Sequence, residues 1–124
     1  MSPRSREFMD QAHEALASAR LVCEHGFFAR AVSNGYYAML YAARAALSEE
    51  DRYAKTHSGT WNLFRETFVE PGRFDAQLLA AASAQQKPRE DADYEAERFS
   101  REQAAEAVEL AERFIAAVTE LIGD

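Results

Sequence analysis

The sequence predicts an all-α protein, an up-and-down helical bundle of three long and two short helices. Three observations carry that expectation. Alanine occurs 25 times in 124 residues, whereas Val, Ile and Thr together occur 11 times. Alanine is the strongest helix former, and β-branched residues are what strands favour. Apolar residues recur at steps of three and four over long segments, the period that gathers them on one helix face. The five glycines and three prolines fall mostly between those segments, where helices stop.

The first helix is expected from Ser2-Pro3 or Ser5 to about His25, with Phe8, Ala12, Ala15, Leu16, Ala19, Val22 and Cys23 on one face. Pro3 suits a first-turn position and Gly26 a C-terminal stop. The second helix runs from about Phe28 to Leu47. Its main stripe is Phe28, Ala31, Val32, Tyr36, Met39, Leu40, Ala43 and Leu47, and a second line of Ser33, Tyr37, Tyr41 and Arg44 lies beside it. Gly35 stands in the middle, at a cost of about 1 kcal/mol relative to alanine. That cost is tolerated where another backbone must come close, so Gly35 predicts a tight helix crossing.

A charged connection, residues 48–55, leads to a third, shorter helix from about Ser58 to Val69, capped by Thr56 or Ser58 and ended by Glu70-Pro71-Gly72. A fourth short helix is expected after the N-cap Asp75, carrying Leu78, Leu79 and Ala82 and closed by Pro88. Residues 89–99 read as a polar stretch. Ser100 and Gln103 form a capping-box pattern that opens the last helix. That helix carries two apolar stripes, one of Ala104, Val108, Ala111, Ile115, Val118 and Ile122, the other of Leu110, Phe114, Ala117 and Leu121. Two stripes imply more than one neighbour, the second of them a candidate subunit contact.

The length suits one domain, residues 1–124. Hydrophobic residues make up 48% of the chain, enough for one core. The single cysteine, Cys23, excludes an internal disulfide framework and a multi-thiolate zinc site, and it fits a reducing compartment. No apolar run approaches the ~20 residues of a membrane span. The N-terminal residues lack the apolar stretch of a secretion signal. A cytoplasmic protein with no membrane contact is expected. Fourteen basic against 21 acidic residues give a net charge of −7, opposite to a general nucleic-acid-binding surface. Any nucleic-acid contact must therefore use basic groups gathered in a cleft.

Three segments could carry chemistry. Arg52-Tyr53-Ala54-Lys55-Thr56-His57-Ser58 puts two cations, an imidazole and two hydroxyls at a helix start. The exposed N–H groups and helix dipole there add anion affinity. His57 could move a proton near neutral pH, and Arg52 or Lys55 could stabilise developing negative charge. The bland alternative is a capped helix with solvated cations. In Arg89-Glu90-Asp91-Ala92-Asp93-Tyr94, Arg89 could contact phosphate and Tyr94 could stack on a base or accept a modifying group. The alternative there is an Arg–Asp pair and a packed tyrosine. The third segment, Ser33 to Met39, reads mainly as core, with one of Tyr36 and Tyr37 facing outward or into a cleft. No histidine or cysteine pair has metal-ligand spacing, and no glycine-rich phosphate loop is present. No metal and no cofactor are expected.

These segments, in this order, resemble a known family. Ser33-x-x-Tyr36-Tyr37-Ala38-Met39 with Ala42-Ala43-Arg44, then Lys55-Thr56-His57-Ser58-Gly59, then Phe68-Val69 with Gly72, then Arg89-x-x-Ala92-Asp93-Tyr94 look like a stand-alone prokaryotic HEPN domain protein. The resemblance implies a HEPN-like helical bundle, usually a homodimer, encoded beside a minimal nucleotidyltransferase as a toxin–antitoxin-like pair. It further implies RNA or nucleotide as ligand. Nuclease members are metal-independent ribonucleases with an arginine, four to six residues, and then a histidine. In some pairs the partner silences the nuclease by attaching nucleotide to a tyrosine.

Arg52 and His57 have that spacing. The place just before the last long helix, where the motif generally sits, holds Asp93 where a histidine would be expected. The resemblance therefore implies a dimeric subunit that binds its partner and nucleotide or RNA without a complete nuclease motif, through Lys55, Ser58, Arg89, Asp93, Tyr94 and Tyr37. The alternative is a metal-independent RNA endonuclease toxin using Arg52 and His57 as catalytic residues. A plain structural helical domain is the third reading. Whether the Arg52–His57 and Arg89–Tyr94 segments meet in one site stays open at this level.

Overall fold

The computed structural model describes residues 1–94 and 98–123. Three long helices, α1 (Pro3–Glu24), α2 (Phe28–Glu49) and α6 (Arg101–Ile122), frame the molecule. Between α2 and α6 lie three short ones, α3 (His57–Phe64), α4 (Ala76–Ser83) and α5 (Gln86–Tyr94). A π-helical turn, Arg65–Val69, extends α3, so the two together fill the span predicted for the third helix.

The caps follow from the local sequence. The Ser2 hydroxyl accepts the Ser5 N–H, the Thr56 hydroxyl accepts that of Gly59, and the Asp75 carboxylate accepts that of Gln77. Ser100 and Gln103 make the reciprocal capping box at the start of α6. Gly26, at φ +84°, turns the chain after α1, and the short connection folds α2 back along it.

The polar stretch after Pro88 differs from expectation and adds one short helix to the two foreseen. Pro88 does not close a helix. It sits in the first turn of α5, where backbone N–H groups have no intrahelical acceptor and a missing one costs nothing. Residues 89–94 are therefore helical. Residues 95–97 of that predicted stretch lie outside the described residues. The consequence for the site is large, because α5 packs along α2 and turns Arg89 inward.

α2 is the central helix, packed against α1, α6, α5 and α3. Its main stripe is buried from Ala31 through Tyr36, Met39 and Leu40 to Leu47, with Phe28 at its start only partly covered. Gly35 explains the α2–α6 crossing: a Cβ there would stand 3.3 Å from the Ala107 carbonyl oxygen, a backbone atom that cannot swing aside. On α6, Phe114 is in the core, and Leu110, Ala117 and Leu121 pack against it. The second stripe of α6 is thus buried at Phe114 and only partly covered by the chain's own helices at Leu110, Ala117 and Leu121. The most exposed large apolar side chains include Phe27 at 63% and Leu21 at 57%, near the α1–α2 turn.

Gly35→Leu should force α2 and α6 apart. Overpacking of this kind costs about 1–3 kcal/mol, and a thermal melt is expected to show the midpoint lowered by several degrees. An unchanged midpoint would mean that the two helices do not touch there.

Candidate functional site

The site begins with how α3 starts. Thr56 caps the helix by accepting the Gly59 N–H at 2.9 Å. Gly59 leaves room for this, since a Cβ at that position would lie 2.7 Å from the Thr56 hydroxyl. The buried Thr60 hydroxyl lies 2.8 Å from the Thr56 carbonyl and 3.3 Å from that of Ala54. Arg44 of α2 donates to the Lys55 carbonyl at 3.4 Å. These contacts fix His57, the first residue of α3, over the middle of α2.

Arg89 reaches the same point from α5. It is only 6% exposed, and its guanidinium carbon lies 5.3 Å from the Tyr36 ring centre and 5.5 Å from that of Tyr37. Both distances are within cation–π range. Its Nη2 is 3.4 Å from His57 Nδ1. Its Nη1 is 3.4 Å from the Tyr37 hydroxyl and 3.5 Å from Asp93 Oδ2. Glu90 stands 3.8 Å away. These carboxylate contacts are long for charge-assisted hydrogen bonds, and the Arg89 Nε is buried with no hydrogen-bond partner. Beneath the cluster, the Trp61 indole N–H donates to the Tyr36 oxygen at 3.0 Å, and that oxygen is 3.2 Å from His57 Nδ1.

The titration of each group follows. Burial pushes both phenols above their ordinary range, with Arg89 opposing in each case. Burial also holds His57 below the usual histidine value, reinforced by Arg89 and Arg44 and opposed by Glu90. Burial alone would lower Arg89, but Tyr37, Tyr36 and Asp93 outweigh it and raise its pKa. Arg89 is therefore a permanent cation beside a ring that resists becoming one.

Of the residues marked from sequence, His57, Arg89, Tyr37 and Asp93 meet in one cluster. Lys55 is exposed beside it, tied to α2 through its carbonyl. Ser58 is exposed and lines a groove with Trp61, Asn62 and Leu79. Tyr94 ends α5 at 78% exposure. Arg52 goes elsewhere: it donates to the Thr67 hydroxyl at 2.9 Å, on the π-helical turn. Arg52 lies in the irregular connection between α2 and α3, His57 opens α3, and the arginine within reach of the His57 ring is Arg89. Tyr36 and Trp61 read as core from the sequence. Each carries a polar group that needs a partner when buried, and that was the available signal. Among the described residues, no group of three His, Cys, Asp or Glu side chains could hold a metal ion.

The sequence pattern of the HEPN domain matches residues 5–121. The chain belongs to the HEPN family. A relative from Gloeobacter violaceus, "UPF0332 protein glr0978", is 37% identical over 78 residues, covering 63% of this chain and 62% of its own length. "Putative toxin MJ0142" from Methanocaldococcus jannaschii is 28% identical over 90 residues, 73% of this chain and 61% of that protein. The matches thus span about three-fifths of the length of these relatives. The crystal structure of TT1696 from Thermus thermophilus superposes with a TM-score of 0.82 at 23% identity, over 97% of this chain and 99% of that one. The likeness establishes a shared fold. No helix among the described residues of this HEPN protein is long and apolar enough to cross a membrane.

The lowered His57 pKa has a stability consequence. Unfolding restores the ordinary histidine value of about 6.5, so the unfolded chain binds the extra proton first. The contribution is present above that value and is lost as pH falls through it toward the lower folded pKa. Urea melts between pH 7.5 and 5.5 should therefore show a smaller loss of stability for His57→Gln than for wild type. Equal slopes would contradict the desolvated imidazole.

Proposed function

We propose that this protein, as a single unit over residues 1–124, is the HEPN subunit of a toxin–antitoxin-like pair. Its partner is a minimal nucleotidyltransferase encoded nearby. It acts as a homodimer in the cytoplasm and binds the phosphate of a nucleotide or RNA at the Arg89 cluster without cutting it. The observation that carries this reading is Arg89: a buried guanidinium with one donor unmatched and its carboxylates held at 3.5 and 3.8 Å.

A buried unsatisfied donor costs roughly 1–3 kcal/mol, and an anion drawn into the cluster offsets that cost. Tyr37 and His57 add hydrogen-bonding groups, Lys55 adds a nearby exposed cation, and Arg44 adds charge on the His57 side. This is a local basic centre in a chain of net charge −7. The name "Putative toxin" carried by the Methanocaldococcus relative supports the toxin–antitoxin setting.

A second reading, a metal-independent RNA endonuclease, draws on one observation. His57 is held toward its neutral form beside a guanidinium, as a general base near a phosphorane would require. Arg89 then takes the part that spacing assigned to Arg52.

The two readings separate in one experiment with purified protein, AMP and end-labelled RNA in EDTA. Saturable AMP or RNA binding without cleavage is expected. Arg89→Met should weaken it roughly tenfold or more, the loss of a charge-assisted hydrogen bond, while the fold survives, since the carboxylates it leaves behind are 24% exposed at Asp93 and 45% exposed at Glu90 and stay hydrated. Cleavage abolished by His57→Ala would establish the nuclease instead. Neither binding nor cleavage by folded protein would remove both.

A further inference from the structure

The polar groups beneath His57 define which ring nitrogen carries its proton. Trp61 Nε1–H can only donate, and it donates to the Tyr36 oxygen at 3.0 Å. The Tyr36 hydrogen then needs an acceptor, and among the described residues the hydroxyl's other contact is His57 Nδ1 at 3.2 Å. Arg89 has no acceptor atom, and its Nη2 lies 3.4 Å from the same nitrogen. A hydrogen on Nδ1 would face the guanidinium donor. Nδ1 is therefore the acceptor of two donors, and in the neutral ring the hydrogen belongs on Nε2.

We infer that Trp61 and Tyr36 are positioning residues that hold His57 in its Nε2–H tautomer, so that His57 serves as a hydrogen-bond donor to a phosphate oxygen rather than as a base. The donor role rests on the phosphate-binding reading above; the tautomer does not. The only basic lone pair of the ring points at Tyr36, which is 1% exposed, and at a cation. A proton taken from a ribose hydroxyl would have to arrive at that enclosed nitrogen. The relay thus selects an acceptor-rich ligand, which a phosphate is, and disfavours the abstraction step of RNA cleavage.

The groups facing His57 are Tyr36, Tyr37 and Arg44 from α2, and Arg89 and Glu90 from α5. A donor to Nδ1 stabilises the neutral ring, so its removal should raise the histidine pKa. Tyr36→Phe is expected to do so, and Trp61→Phe to act in the same direction more weakly, because it leaves the Tyr36 hydroxyl in place.

The test is nitrogen-15 NMR of the His57 ring in the ligand-free protein, followed by titration with AMP. The Nε2–H tautomer is expected in wild type, with a higher His57 pKa in Tyr36→Phe. His57→Gln, which keeps an N–H near the Nε2 position, should bind AMP about fivefold more tightly than His57→Asn, the worth of one hydrogen bond. A wild-type Nδ1–H tautomer, or a folded Tyr36→Phe with an unmoved pKa, would overturn the relay. The expected tautomer in a protein that binds neither AMP nor RNA would instead sink the phosphate-binding reading and leave the relay standing.

Discussion

A guanidinium taken out of water needs partners on all sides, and Arg89 has them on all but one. Two tyrosine faces, an imidazole nitrogen, a phenol oxygen and two distant carboxylates surround it. The rest of the site depends on this arrangement. Arg89 joins α5 to α2 and α3, reinforces burial in disfavouring the charged form of His57, and supplies positive potential that the net charge of the chain would not suggest. Its partners are mostly neutral, so the charge is only partly compensated within the protein.

The scaffold serves that arrangement through close approach. Gly35 brings α6 against α2, and the Thr56 cap with Gly59 fixes where α3 begins. Tyr36, one residue after Gly35, is held on the central helix with its hydroxyl beneath His57. Trp61 joins the two functions in one side chain: its ring packs on Phe114 of α6, and its N–H orients Tyr36. Core packing and site geometry are accordingly coupled, and changes at either should be felt at the other.

Much of the fold was legible because it rests on local chemistry. The stripes of α1, α2 and α6, the Ser100–Gln103 box, the Asp75 cap and the close crossing at Gly35 all follow from residue spacing. α5 was not legible: a proline and a run of charge look like a break, and only the first-turn exemption and the packing of Arg89 make a helix there. For the site, the segments around Tyr37, His57 and Arg89 could each be marked, but their meeting is tertiary. Spacing alone could not say which arginine meets His57: Arg52 bonds Thr67, and the guanidinium beside the imidazole is that of Arg89. Tyr36 was marked only as one of two tyrosines, and Trp61 only as core, because the apolar mass of each accounts for its burial and hides the polar group it carries.

What matters most is whether Arg89 is the anion-seeking centre of this HEPN protein. The most direct measurement is the side-chain Nε–H resonance of Arg89, followed by NMR while AMP is titrated into the ligand-free protein. A saturable shift of that resonance is expected together with the His57 ring signals, because the unmatched donor gains an acceptor. Saturable shifts confined to other parts of the bundle, with Arg89 and His57 unmoved, would place anion binding elsewhere and remove Arg89 from that role.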